Sequence, residues 1–502
     1  MNPANATATA AILQQALALH RQGQYRQAEA LYRQVLQQQP RHFDALHLLG
    51  VLARQRGDAR LALELIGQAL QIDPQQAIAH CNIGAALQDL NRSEQALQHF
   101  ERALEINPDY ALAFNNRGNA LRRLKRYDEA VQSYEEALRR KPDYGDAHYN
   151  RATALHKLAR FDEAILGFEQ ALRYDPHNPD AWCNHGLGLQ MSHRYGEALA
   201  SYQRALQLAP QHAASWCGRG TALRKMQRYD EALACYDAAL RHAPDYADAH
   251  LFRANCLRAL LRVDEAIAAY RCALERGADP EQVHYALAAL GAEAAPSASP
   301  AEYVKNLFDR YADHFDAHLL DVLHYRTPDL LAAALRKAGV GDACDSIDLG
   351  CGTGLCGPLL RPFSRSLAGV DLSPKMLDKA QARGLYDRLE CADIVDFLLG
   401  AADCYDLAVA ADVLVYLGDL TPVFRALRGA LRDGGLFAFS VEAGAGQEPV
   451  LRASSRYAHS EDYLRKMAAD FGFVIESLDA QILRYDDGAP IDGFLVLMRC
   501  RK

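Results

Sequence analysis

Seven prolines, Pro40, Pro74, Pro108, Pro142, Pro176, Pro210 and Pro244, stand 34 residues apart. A period held this long admits few architectures, because each unit must bury its apolar face against an identical neighbour. Other positions keep the same step. Alanine recurs at Ala28, Ala62, Ala96, Ala130, Ala164, Ala198, Ala232 and Ala266, and a small residue twelve positions earlier at Ala16, Gly50, Gly84, Gly118, Ala152, Gly186, Gly220 and Ala254. Four positions after the alanine comes an aromatic or Ile, as at Tyr32, Ile66, Phe100 and Tyr134. Small residues let two helices cross closely, the larger side chain is expected to fill the space between successive units, and the proline ends the second helix. The reading is eight helix pairs over residues 9–278, stacked as a solenoid.

This pattern resembles the tetratricopeptide repeat (TPR) across all eight units. Position six of each repeat lies about 200° round the helix from the small residue and is expected to face the groove. Asn82, Asn116, Asn150 and Asn184 occupy it in four consecutive repeats. An amide offers both a donor and an acceptor, so such a row suits the backbone of an extended peptide. A similar ladder is known in the TPR arrays of the O-linked N-acetylglucosamine transferases, which implies a protein or peptide partner. Trp182 and Trp216 fall at the fourth repeat position and are read as packing residues.

A second kind of chain begins after residue 278. Residues 281–290 form one more amphipathic helix, read as a cap, and Gly291 to Pro300 is rich in Ala, Pro and Ser and reads as a linker. Residues 1–300 carry 33 Lys+Arg and 33 Asp+Glu, whereas residues 301–502 carry 22 and 30, so the net charge of −8 lies in the second part. The missing basic footprint counts against a nucleic-acid partner. Apolar runs are short and interrupted, which argues against a membrane span. The twelve cysteines show no CxxC and no zinc-ligand spacing, so no metal is expected and a cytoplasmic location is.

The chemistry is concentrated in Ile347-Asp348-Leu349-Gly350-Cys351-Gly352-Thr353-Gly354. A short apolar strand runs into a glycine turn, and a helix is expected at 356–364. About twenty residues on, a second strand ends in Asp371. This is the form of a βαβ nucleotide site, in which the turn approaches the ligand, a helix N-terminus meets an anionic group, and the acid takes the ribose hydroxyls. Gly352-x-Gly354-x-x-Gly357 also satisfies the dinucleotide pattern. Asp348, just before the first glycine, would repel a pyrophosphate but attract an amine. S-adenosylmethionine (SAM) carries an amine and a sulfonium. Asp393, after a third candidate strand, suits an adenine amino group.

Together with GVDLSPKMLDKA, CADI, YDLAVAADVLVYL and LRDGGLFAFS, these residues resemble the class I SAM-dependent methyltransferases. The order of repeats, an aromatic segment and this core resembles a bacterial family of predicted TPR-methyltransferases. The fold class implied is an N-terminal all-α TPR superhelix followed by a Rossmann-like seven-stranded domain over 301–502. Strands are expected at 345–349, 367–371, 387–391, 405–411, 435–441, 472–479 and 492–499. The resemblance implies that Gly350, Gly352 and Gly354, with Cys351 and Thr353 between them, hold the methionyl end. It places Asp348 toward the amine and Asp371 on the ribose. Leu372 and Met376 flank the adenine, with Ala392 and Asp393 at its edge, and Asp412 lies where cofactor and acceptor meet. It also implies a lid over 301–327, with Tyr303 and Tyr311 as candidates. Candidate bases or positioning groups are Tyr416, Glu442 and His459.

The leading expectation is a methyltransferase whose repeats recruit a protein or peptide. A small-molecule methyltransferase with the repeats as assembly scaffold, and a non-catalytic TPR adaptor, are the alternatives.

Overall fold

The structure is a computed structural model that describes residues 3–312, 315–486 and 488–502. Asp313 and His314 of the expected lid lie outside the described residues. The chain divides into two compact units, Met1–Cys256 and Leu257–Lys502, so the division falls inside the eighth repeat.

The first unit is a run of helix pairs, such as Ala77–Asp89 with Ser93–Ile106 and Ala111–Arg123 with Tyr127–Arg140. The periodic glycines are small for a physical reason. A Cβ on Gly84 would lie 2.7 Å from the Phe100 ring, and one on Gly118 would lie 2.5 Å from Tyr134. The large side chain therefore packs on the small residue of its own repeat, rather than only between units as the sequence suggested. Tyr202 does both, since it also closes on Gly218 of the following repeat. The turn between the two helices of a pair needs a left-handed residue. Gly23 and Gly57 supply it, but Asn91, Lys125, Ala159, His193 and Gln227 adopt φ between 57° and 60° at the same step. For a non-glycine this costs about 1 kcal/mol or more per site. Trp182 and Trp216 are half-buried and donate their indole N–H to Pro176 and Pro210 carbonyls at 3.0 and 2.8 Å, tying each helix to the turn before it.

The second unit contains a sheet of nine strands among the described residues. They are β1 Cys344–Leu349, β2 Ser364–Asp371, β3 Arg388–Cys391, β4 Tyr405–Ala410, β5 Leu431–Ala443, β6 Val450–Leu451, β7 Tyr457–His459, β8 Phe473–Asp486 and β9 Ala489–Cys500. Seven of them give the expected core in the order β3-β2-β1-β4-β5-β9-β8, parallel through β5 and antiparallel at β9 and β8. The additional pair arises because β5 outruns β4. At Glu442 one edge of β5 is taken by Gly493 of β9 and the other by Ala458 of β7. The central strand β4 is buried on both faces. Ala408 and Ala410 join one apolar cluster with Phe424 and Phe439, while Leu407 and Val409 join another with Leu331 and Leu360. Continuous apolar strands of this kind belong to parallel sheets covered by helices on both sides.

Residues 291–300 are not a free linker. The Ser297 carbonyl accepts N–H bonds from Gly418 and Asp419, both at 2.8 Å, and Ser299 N–H donates to the Tyr416 carbonyl at 2.8 Å. Helix Pro280–Ala289, N-capped by Asp279, contributes Tyr285, whose hydroxyl donates to the Ser455 carbonyl at 2.8 Å.

Candidate functional site

The loop after β1 turns back on itself through Gly350, Gly352 and Gly354, with φ of 64°, 55° and 81°. Only glycine adopts this region freely. At Gly350 space also forbids a side chain, since a Cβ would sit 2.4 Å from Val413. The helix expected at 356–364 is only Gly357–Leu360 followed by one 3-10 turn, because Pro362 has no N–H for the carbonyl four residues back and its ring crowds it, whereas Pro358 in the first turn is tolerated. The Gly357 N–H is used inside the turn, by the Gly354 carbonyl, so no long helix aims free donors at a ligand here.

Asp371 closes β2 with both carboxylate oxygens oriented by backbone. Gly352 N–H donates to Oδ2 at 2.9 Å and Ser373 N–H to Oδ1 at 2.8 Å. A carboxylate has about four acceptor sites, so Asp371 can take a hydroxyl besides its backbone donors. Burial raises the Asp371 pKa, while those two N–H groups oppose the rise. Asp371, Leu372 and Asp393 line a cavity of about 330 Å³ together with Gly350, Cys351, Gly352, Thr353 and Asp412. Asp393 also N-caps helix Ile394–Leu399, accepting from Val395 N–H at 2.8 Å.

Four expected cofactor residues stand off the wall. Met376 is fully buried beneath its helix, and half-buried Ala392 packs on the core beneath the sheet. Gly354 faces Tyr386 and Arg383 instead of the cavity. Asp348 is 1 % exposed, below the turn, and accepts a bond from the Tyr386 hydroxyl at 2.6 Å. Burial pushes the Asp348 carboxyl up to about 7, with the Tyr386 bond pulling it down and Asp371 pushing it up. Its charge reaches the cavity through the turn rather than by contact.

Over residues 301–327, where a lid was expected, side chains other than the two tyrosines face the cavity. Helix Ala301–Tyr311 points Val304 and Phe308 into the cavity, and Phe315, Leu319 and Tyr325 continue that wall. Tyr303 instead lies against Tyr285, ring centres 5.2 Å apart, and the Tyr311 hydroxyl bonds His318 Nδ1. Two acids fasten the segment to the cofactor loops. Ser373 Oγ donates to Asp309 at 2.5 Å, and Asp316 accepts from Thr353 Oγ1 and from Arg383 at 2.5 Å.

Of the three candidate bases only Tyr416 reaches the cavity, its ring 5.6 Å from Phe308. Burial raises its pKa, opposed by Arg456. Glu442 is not a free base. It is 2 % exposed and accepts from Arg484 and, at 3.1 Å, from Arg452. His459 sits in β7, fully buried off the cavity, with Nε2 at 3.3 Å from the Gly418 carbonyl, and burial depresses its pKa to about 4. Strand β7 turns it into the sheet, away from the cavity. Asp412 leaves β4 with φ 56° and is held by Ser440, whose Oγ donates to Oδ1 at 2.9 Å, and by Arg484, which donates to Oδ2 at 2.6 Å. Strain at a strand end beside a cavity is a recurring mark of functional sites.

Sequence reasoning missed Tyr386, Asp316, Arg383 and Arg484, whereas Arg456 opens the segment 456–463 that the resemblance places at an acceptor pocket. The one signal available was Arg484 itself, a charge between apolar residues in what proves to be β8, which runs seven residues past the expected strand end at 479.

The groove asparagines are each bonded to the preceding repeat. Asn82 bonds His47 at 2.9 Å, Asn116 bonds Cys81 at 3.5 Å, Asn150 bonds Asn115 at 3.1 Å and Asn184 bonds Tyr149 at 2.9 Å. All four remain half-buried.

Sheet order, glycine turn and strand-end acid define a Rossmann-like methyltransferase domain preceded by helical repeats. Comparison with known families agrees: residues 347–437, spanning β1 to β5, match a family described as a methyltransferase domain. Tetratricopeptide repeat families match residues 13–77, 81–145 and 217–283, and also 121–182. The chain thus carries tetratricopeptide repeats followed by a domain that matches a methyltransferase family. Its curated relatives include human Methyltransferase-like protein 27, 42% identical over 87 residues, which are 17% of this chain and 35% of that protein. Nodulation protein S of Bradyrhizobium diazoefficiens is 31% identical over 91 residues, 18% of this chain and 43% of that one. Malonyl-[acyl-carrier protein] O-methyltransferase of Salmonella typhimurium is 28% identical over 167 residues, 32% of this chain and 64% of that one. The chain therefore spans less than two thirds of the length of these relatives. Among solved structures, YrrB, titled a TPR protein with an unusual peptide-binding site, is 27% identical with a TM-score of 0.34, covering 37% of this chain and 96% of that one. No helix among the described residues is long and apolar enough to cross a membrane.

Proposed function

We propose that the chain is a SAM-dependent methyltransferase whose repeats recruit a protein or peptide, acting in the cytoplasm. The observation that carries the cofactor reading is Asp371, held by Gly352 and Ser373 N–H groups on the wall of the same cavity as the glycine turn. The residues present fit the group. Gly352 leaves open space that a Cβ would enter, with only Phe315 near it at 3.8 Å, Asp371 suits a ribose, and the Asp348 carboxyl, raised to about 7, lies beneath the turn, where a bound amine would favour its charged form. When bound, the cofactor supplies a methyl group on a sulfonium. The chain's own part is alignment: Asp371 and the turn fix one reactant, Asp412 and Tyr416 bound the other side, and Phe308 and Leu319 keep water away.

Recruitment by the repeats is supported by the asparagine row. The amide nitrogen of each is bonded to the preceding repeat, which fixes its plane and leaves the oxygen of Asn82, Asn150 and Asn184 for a peptide N–H, while that of Asn116 accepts from Asn115 at 3.5 Å. Titration with S-adenosylhomocysteine tests the cofactor reading. Micromolar binding that Asp371→Ala weakens at least tenfold is expected, and absence of binding to the wild-type chain would overturn it. Transfer from methyl-labelled SAM into a protein band, reduced when the four asparagines are replaced together, tests recruitment. Label confined to small molecules and indifferent to those replacements would favour the scaffold reading.

A further inference from the structure

Beyond the lid, the cavity ends in charge of one excess sign. Arg456 and Arg484 both lie on its wall. Arg484, 2 % exposed, donates to Asp412 and Glu442 through its two terminal nitrogens, while its Nε–H is buried with no partner. Glu442 is further paired with Arg452 at 3.1 Å and with Arg456 at 3.8 Å. Three guanidinium groups thus share two carboxylates, and one positive charge in this cluster lacks a counterion among the described residues. A buried N–H without an acceptor is costly unless a ligand completes it, and the surplus charge, on the partly exposed Arg452 and Arg456, is free to take an anion.

Among the described residues, the same wall lacks a group able to remove a proton. Asp412 is spent on Ser440 and Arg484. Asp371 and Asp393 are engaged by backbone N–H groups at the cofactor end. Burial pushes the Cys351 and Cys356 thiols and the Tyr325 and Tyr416 hydroxyls upward, so none of them is a ready base. A nucleophile that is neutral and protonated would find nothing here to take its proton.

We infer that the methyl acceptor is a carboxylate on an apolar body, bound against Arg456 and the free Nε–H of Arg484, and that the product is a methyl ester. This rests on the methyltransferase reading above. A carboxylate oxygen is already deprotonated and bears the charge the arginines lack. It forms a bond to the methyl carbon as the carbon–sulfur bond breaks, the electron pair passes to sulfur, and no proton moves. The neutral ester then no longer answers the arginine charge, which favours release. Val304, Phe308 and Leu319 supply an apolar wall for the rest of the acceptor.

The test is calorimetric titration of hexanoate, with hexanol as its neutral match, into the full-length protein saturated with S-adenosylhomocysteine. Saturation is established first, and failure at that stage overturns the cofactor reading rather than the carboxylate assignment. Hexanoate should bind at least tenfold tighter than hexanol. Arg456→Met should abolish the preference and Arg456→Lys retain part of it, with S-adenosylhomocysteine affinity unchanged in both. Equal binding of the two probes, or a preference that survives in Arg456→Met, overturns the assignment. Label transferred from methyl-labelled SAM into an extract should be released by mild alkali as methanol, and alkali-stable label overturns the ester.

Discussion

The Tyr386 hydroxyl donates to the Asp348 carboxylate at 2.6 Å, and the same ring closes on the glycine loop, where a Cβ at Gly354 or Gly357 would lie 3.0 or 3.1 Å from it. One side chain thus supports the turn and holds the charge beneath it. Asp348 has a folded pKa of about 7 against an ordinary 3.8, chiefly through burial. Between those values the folded chain keeps a proton that the unfolded chain releases, so this site loses stability as pH rises from about 4 to about 7 and changes little above. Asp348→Asn should flatten that slope. Denaturant unfolding at pH 5 and pH 8 should show the wild type losing about 2–3 kcal/mol more than the variant across the interval.

Arg484→Met should be among the most damaging single changes in the second unit. It leaves Asp412 and Glu442 without their shared partner in a site where Arg484 is 2 % exposed. A loss of about 3–5 kcal/mol is expected by chemical denaturation. Arg456→Met, whose side chain is 27% exposed, should cost under about 1 kcal/mol.

Asp316 joins the lid segment to Thr353 in the glycine loop and to Arg383 behind it. Asp316→Ala should leave the fold within about 1 kcal/mol of wild type while S-adenosylhomocysteine dissociates about tenfold faster in stopped flow, equivalent to ~1.4 kcal/mol of lost closure.

Asn184→Ala removes the bond to the Tyr149 hydroxyl at 2.9 Å. It should lower the stability of the repeats by about 1 kcal/mol with no peptide present, read by urea unfolding. A purely peptide-facing asparagine would leave that midpoint unchanged.

Ala159 adopts φ 57° in the turn where the first two repeats use glycine. Ala159→Gly should stabilise the protein by about 0.5 kcal/mol, the relief of left-handed strain exceeding the entropy that glycine adds to the unfolded chain. The melting temperature measures it.

The repeats were legible because their determinants recur locally. Gly84 and Phe100 are sixteen residues apart and return every 34, so the period displays the contact. The turn Gly350–Gly354 and the strand-end Asp371 were equally visible, since the glycines sit in one stretch and the acid terminates an apolar strand. Inward direction was not. Tyr303 and Tyr311 are eight residues apart in an aromatic segment, yet Val304 and Phe308, four apart, face the cavity. An aromatic-rich segment names no face until it packs.

The sequence alone determined the order of repeats and methyltransferase core, and the residues that shape the cofactor end, because period, glycine and strand-end acid act on their chain neighbours. Tertiary structure alone decided the arginine-lined end of the cavity. Arg484 meets Glu442 across 42 residues and Asp412 across 72, through the long β8 and the extension of β5. It buried Glu442 and His459 and put Arg456 on the wall. No local pattern encodes a charge balance assembled from four separate loops and strands, since the cost of each buried ion depends on partners that only the folded sheet brings within reach.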